Sequence, residues 1–82
     1  MLIVWDEPKR LSNLAKHGLD FADVENGFDW ANASITPVKD GRLKALGKLS
    51  DGTVVVIFAM LGTEALSIIS LRPASKRERM AR

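Results

Sequence analysis

Apolar positions along the chain change their period once, near Trp30, and that change separates helices from strands. Before it, Leu11, Leu14 and Ala15 recur at helical spacing as one apolar stripe and predict a first helix over Glu7–His17. Asp6, Glu7 and Pro8 mark its start: a short polar side chain caps free N–H groups, and a first-turn proline gives up an N–H that has no helical partner. Gly18 is suited to end it, because glycine enters the left-handed region at little cost. Asp20 then caps a second, short helix with Phe21, Val24 and Phe28 on one face, and Gly27 weakens its last turn.

Beyond Trp30 the pattern reads as strands. Ala31–Val38 is a marginal strand, placed by Pro37 at a sheet edge or near its own end. Asp40-Gly41 turns the chain into Arg42–Leu49, where Leu43, Ala45 and Leu49 alternate with Arg42, Lys44 and Lys48. Asp51-Gly52 makes the next turn, and Thr53–Leu61 is apolar on both faces, as a central strand covered on both sides would be. Gly62-Thr63 leads into a fourth strand, Ala65–Arg72, which Pro73 ends. Ser75 followed three residues later by Glu78 is a capping box that opens a final helix. The expected architecture is α+β: two N-terminal helices, a four-stranded antiparallel meander and a C-terminal helix.

Length makes this a single domain over residues 1–82, since half of 82 residues could not bury a core of its own. No cysteine is available for disulfides or a thiolate zinc site, and the lone histidine has no Asp/Glu cluster around it, so neither metal nor cofactor is expected. The apolar run Met1–Trp5 is too short for a signal peptide or a membrane span, which predicts a cytoplasmic protein without membrane contact. Net charge is only +2, but its distribution is uneven. Asp20, Asp23, Glu25 and Asp29 have no basic residue among them, whereas Arg72, Lys76, Arg77, Arg79 and Arg82 face Glu78 alone. Such segregation points to one face for a polyanion and another for a different partner. A solvated surface with a basic tail is the plain alternative.

Four groups of residues, in order, carry a resemblance. They are Trp5-Asp6 with Lys9, Asn13, Lys16-His17-Gly18 and Phe21; Arg42 with Ala45-Leu46-Gly47; Ile68-Ile69-Ser70-Leu71-Arg72; and Ala74-Ser75-Lys76-Arg77-Glu78. Together they resemble the BrnT family of toxins. The resemblance implies a compact RelE-like α+β fold and a ribonuclease that inhibits translation. It also implies neutralisation by a co-encoded BrnA antitoxin, which would dimerise and bring two toxin copies into a heterotetramer. Promoter DNA would be reached only through that antitoxin. This chain departs from the family where Ser67 and Pro73 stand at positions that often carry arginine and lysine, and in having no tyrosine.

Metal-free RNA cleavage needs a group to take the 2′-hydroxyl proton, cations for the phosphorane-like charge and an acid for the leaving oxygen. Histidine as a residue type titrates nearest neutrality, which makes His17, with Lys16 beside it, the proton-transfer candidate; capping the end of the first helix is its structural alternative. Arg42 and Arg72 suit charge stabilisation, because the planar guanidinium matches phosphate oxygens. Lys44, Lys48, Lys76, Arg77 and Arg79 are candidates for RNA backbone contacts. Glu78 is the remaining catalytic candidate, although its capping box gives it a structural task. Trp30 belongs either to the core or to a base-stacking surface, and the core reading is preferred. Against the nuclease stands a module that binds protein or nucleic acid without cutting.

Overall fold

A computed structural model describes residues 1–50 and 52–81. The elements run β1 (Leu2–Trp5), α1 (Glu7–His17), α2 (Ala22–Gly27), β2 (Ser34–Pro37), β3 (Leu43–Leu49), β4 (Gly52–Leu61), β5 (Ala65–Pro73) and α3 (Lys76–Ala81). The strands β2 to β5 form the expected antiparallel meander. The sheet is nevertheless five-stranded and mixed, in the order β1-β5-β4-β3-β2. The apolar N-terminal run is itself a strand, parallel to β5 with Leu2 opposite Ala65 and Trp5 opposite Ile68. Its partner lies some sixty residues away in sequence, and four residues are too few to show a period.

Turn chemistry follows the sequence. Asp40 and Gly41 both take positive φ between β2 and β3, a conformation that Asp tolerates and Gly adopts freely. Asp51 lies outside the described residues, so of the next turn only Ser50 and Gly52 can be placed. Pro37 ends the edge strand β2, and Pro73 ends β5. A register shift at Ile57/Phe58 accommodates one extra residue in β5.

Alternation along the strands gives the sheet two unlike faces. The first carries the main core: Val54, Val56, Phe58, Ile68 and Leu71 pack under Phe21, Val24 and Phe28 from α2 and its flanks. Trp30 joins them edge-on, its ring centroid 4.7 Å from that of Phe28 and 5.3 Å from that of Phe58, so it belongs to the core. Gly47 of β3 lies directly beneath Phe28; a Cβ there would sit 2.9 Å from Phe28 Cζ and 3.1 Å from Ala33 Cβ. The second face holds a smaller cluster, Leu46, Val55 and Ala74 with Ile57, covered where the chain enters α3. Thus β4 is apolar on both sides, as a central strand requires.

Helix α1 has the expected bounds, and Gly18 at φ 70° ends it by donating its N–H to the Leu14 carbonyl; Asp6 stands at the N-cap position, but its side chain makes no capping hydrogen bond there. Its rotation is the reverse of what the apolar stripe suggests. Leu11 and Leu14 are 53% and 37% exposed, Ala15 is exposed too, and Asn13 is the buried residue. The cause is the short β1, which ends opposite Ile68 and leaves the backbone of Leu71 without a strand partner on that side. Asn13 replaces the missing strand: Nδ2 donates to the Leu71 carbonyl at 2.7 Å, and Oδ1 accepts the Leu71 N–H at 3.1 Å. Nδ2 also donates to the Leu19 carbonyl at 3.2 Å, tying down the chain after α1. Burying two peptide groups unpaired would cost more than exposing two leucine side chains in part, so the polar face turns inward.

Arg10 fixes the start of α1 to the start of α2. Its guanidinium holds Glu7 through Nε and Nη2, each at 2.8 Å, and Asp20 through Nη1 at 2.9 Å. Asp20 in turn accepts the Ala22 N–H at 3.0 Å, so it holds the first turn of the second helix from one residue before the N-cap position, which Phe21 occupies. That N–H and the Arg10 guanidinium hold the Asp20 carboxyl below its ordinary range.

Candidate functional site

The second sheet face carries the cations. On β3, Lys44 and Lys48 project to this side around Leu46, and on β5 so do Ser70 and Arg72. The capping box then brings in an acid. Glu78 accepts the Ser75 N–H at 2.9 Å while Ser75 Oγ accepts the Glu78 N–H at 3.1 Å, the reciprocal pair that the sequence spacing predicts. From there the Glu78 carboxylate also reaches Arg72 through Nη1 and Nη2, at 2.8 and 2.9 Å, and Lys44 Nζ at 2.6 Å. Its side chain is 16% exposed.

This arrangement determines what each group can do. Arg72 first, then Lys44 and the Ser75 N–H hold the Glu78 carboxyl far below the usual carboxylate range. A carboxylate that acidic is a weak proton acceptor at neutral pH. Arg72 has its own acidity lowered further by the same pairing. The guanidinium carries five N–H donors, of which Glu78 takes two and the Pro73 carbonyl, at 3.3 Å, a third on Nη1. Among the described residues the Nε–H and one Nη2–H have no other partner; they lie side by side, the second fork with which arginine meets a phosphate. Glu78 therefore orients Arg72 without exhausting its donors.

A second group of candidates gathers at the end of α1. Lys16, exposed, and His17, half-buried, line a shallow hollow of about 250 Å³ together with Lys9, Ser12, Ile69 and Ser70. Ser70 stands two residues before Arg72 on the same side of β5, about 7 Å along the strand, so the hollow adjoins the Arg72 cluster. Lys9, Ser12 and Ser70 were not singled out as site residues from sequence. The spacing of Lys9, Ser12 and Lys16 at i, i+3 and i+7 is the signal that places them on one helix face.

The other candidates lie around this surface. Arg42 is exposed just before β3 and makes no ion pair among the described residues. Lys48, Lys76 and Arg77 are exposed on the same side of the molecule or on the helix that covers it. Arg79 is exposed as well and donates from Nη1 to the Ala74 carbonyl at 2.9 Å. Among the described residues no three His, Cys, Asp or Glu side chains converge in a way that could hold a metal ion. No described helix is long and apolar enough to cross a membrane.

Comparison with known proteins identifies the family. No curated protein matches the sequence. The family described as "Ribonuclease toxin, BrnT, of type II toxin-antitoxin system" matches residues 5–78, from the last residue of β1 through the capping-box glutamate. The crystal structure of the Brucella abortus ribonuclease toxin, BrnT, is similar throughout, with a TM-score of 0.82 and 49% sequence identity over 93% of this chain and 99% of that one. The chain belongs to the BrnT family of ribonuclease toxins of type II toxin–antitoxin systems.

Proposed function

We propose that this chain is a metal-independent endoribonuclease of RelE type, which cuts RNA in the cytoplasm and so inhibits translation. The observation that supports it most is the continuous polar surface formed by Lys16 and His17, Ser70, and the Arg72–Glu78–Lys44 cluster. On this reading the 2′-oxygen of a ribose attacks the adjacent phosphorus, the bond to the 5′-oxygen breaks, and a 2′,3′-cyclic phosphate and a 5′-hydroxyl result. His17 moves a proton in this exchange, with Lys16 beside it. Arg72, through its remaining fork, stabilises the charge that builds on the phosphate oxygens. Fixed cations perform the electrostatic work here, so the reaction has no need of a metal. Glu78 is assigned to positioning Arg72 and Lys44 rather than to proton abstraction. Arg42, Lys44, Lys48, Lys76, Arg77 and Arg79 draw in the RNA backbone.

The family supports a protein antitoxin as partner. A BrnA-like protein, dimeric and pairing with two toxin copies in a heterotetramer, fits that role. The activity is tested with Arg72→Ala: purified and shown to be folded, the variant is expected to lose most RNA cleavage, and full cleavage would remove Arg72 from the mechanism. A second reading, a family member that binds RNA without cutting it, draws on Ser67. This half-buried residue between β1 and β4 supplies a hydroxyl where the family often places a cation.

A further inference from the structure

At the end of the sheet opposite the Leu71–Asn13 contact, no helix among the described residues closes over the first face. There the strands floor an open groove of about 530 Å³, with Ile3 from β1, Leu66 from β5, Phe58 and Met60 from β4, Leu43 from β3 and Ile35 from β2. Trp30 and Glu25 form its wall on the α2 side, and Met1 lies at the far rim. Ile35 and Met60 are 49% and 38% exposed, and Met1 at the rim is 75% exposed. Polar turns or a covering helix normally hide such a surface; contiguous apolar exposure in so small a domain marks a place where another protein sits.

Chemistry narrows the occupant. Among the described residues no lysine or arginine lines the groove, and its one charged residue, Glu25, is an acid on the same short helix as Asp23. RNA is therefore repelled here, and the groove opens on the face away from the cationic surface. A second copy is a poor fit, because a two-fold contact would lay one concave groove on another and bring two Glu25 carboxylates together. The groove crosses all five strands, four spacings or about 19 Å. That is the length of about 13 helical residues.

From this we infer that the groove receives an amphipathic helix of the co-encoded antitoxin, laid across the strands with its apolar face on Met60, Phe58 and Ile35 and a Lys or Arg against Glu25. The inference rests on the reading that such an antitoxin neutralises this chain, and adds where it docks. Because the groove and the cationic surface are on different faces, the helix anchors the antitoxin without itself filling the RNA site.

The test uses the purified toxin and the purified protein encoded by the adjoining reading frame. Binding is measured by calorimetric titration, and RNA cleavage is measured with and without that protein. Met60→Glu and Ile35→Glu are each expected to raise Kd at least tenfold and Glu25→Lys several-fold. All three should keep wild-type cleavage yet continue cutting in the presence of the antitoxin. Glu25→Lys changes only an exposed helical side chain, so it remains informative if a strand variant folds poorly. Unchanged affinity in all three overturns the docking site and leaves the toxin–antitoxin reading standing. Absence of binding by the wild-type chain overturns both. A wild-type toxin that sediments alone as a dimer, and becomes monomeric with Met60→Glu, assigns the groove to a second copy and overturns the inference.

Discussion

Asn13→Ala removes the side chain that stands in for a missing strand, and its cost can be worked from three hydrogen bonds. Two of them pair the N–H and carbonyl of Leu71, whose residue is fully buried, and the third holds the Leu19 carbonyl. At about 1 kcal/mol for each bond, with a further penalty for leaving the Leu71 groups unpaired, the loss comes to about 3–4 kcal/mol. Alanine returns about 0.6 kcal/mol through its better helix propensity. The net loss of about 3 kcal/mol is a large share of the roughly 4–12 kcal/mol expected for 82 residues, and lowers Tm by about 12–24 °C. Denaturant titration measures the loss, and hydrogen exchange should show the Leu71 amide among those that lose most protection. Asn13→Asp sharpens the test. A carboxylate accepts the Leu71 N–H but cannot donate to its carbonyl, whereas the protonated acid does both. Burial and that donated bond raise the folded-state value above the unfolded one, so the Asp variant should gain stability relative to wild type as pH falls. A net loss under 1 kcal/mol for Asn13→Ala, with the Leu71 amide still protected, would refute the strand-substitute role.

Two other substitutions examine the fold around the site. Glu78→Gln should cost about 1–2 kcal/mol at neutral pH, since it weakens the capping box and releases two partly exposed cations. Because Glu78 is depressed in the folded state, its stabilisation is complete above the unfolded carboxyl value near pH 4.3 and declines as pH falls below it. The difference between wild-type and variant stability curves should therefore shrink below about pH 4. A constant difference down to pH 2 would contradict the ion-pair assignment. Gly47→Ala places a methyl group against the Phe28 ring and Ala33, and should destabilise by about 1–3 kcal/mol in thermal unfolding; an unchanged Tm would mean that Phe28 moves freely.

The parts of the fold legible in the sequence are those fixed by local chemistry. Gly18, Asp40-Gly41 and the Ser75/Glu78 pair each dictate a turn or a cap through their own backbone and side chains, and each does so in the structure. What escaped depends on distant pairing. Nothing between Met1 and Trp5 announces a strand whose partner begins at Ala65, and the four-stranded expectation became five for that reason. The inversion of α1 follows from the same strand. Leu11, Leu14 and Ala15 read as a core stripe only until the unpaired backbone of Leu71 claims Asn13. At the site, the capping box revealed a structural task for Glu78, but not that Arg72 and Lys44 would converge on the same carboxylate. That convergence needs the β3–β4–β5 register, in which Lys44, Ile57 and Ser70 form one row and Leu46, Val55 and Arg72 the next.

The most direct test of the central claim is cleavage of single-stranded RNA by the purified chain in EDTA. The account predicts fragments that end in 2′,3′-cyclic phosphate, no cutting of 2′-O-methylated RNA, and loss of most activity in both His17→Ala and Arg72→Ala. RNA that is bound but left intact by the wild-type chain, under conditions where the Brucella toxin cuts, would contradict it.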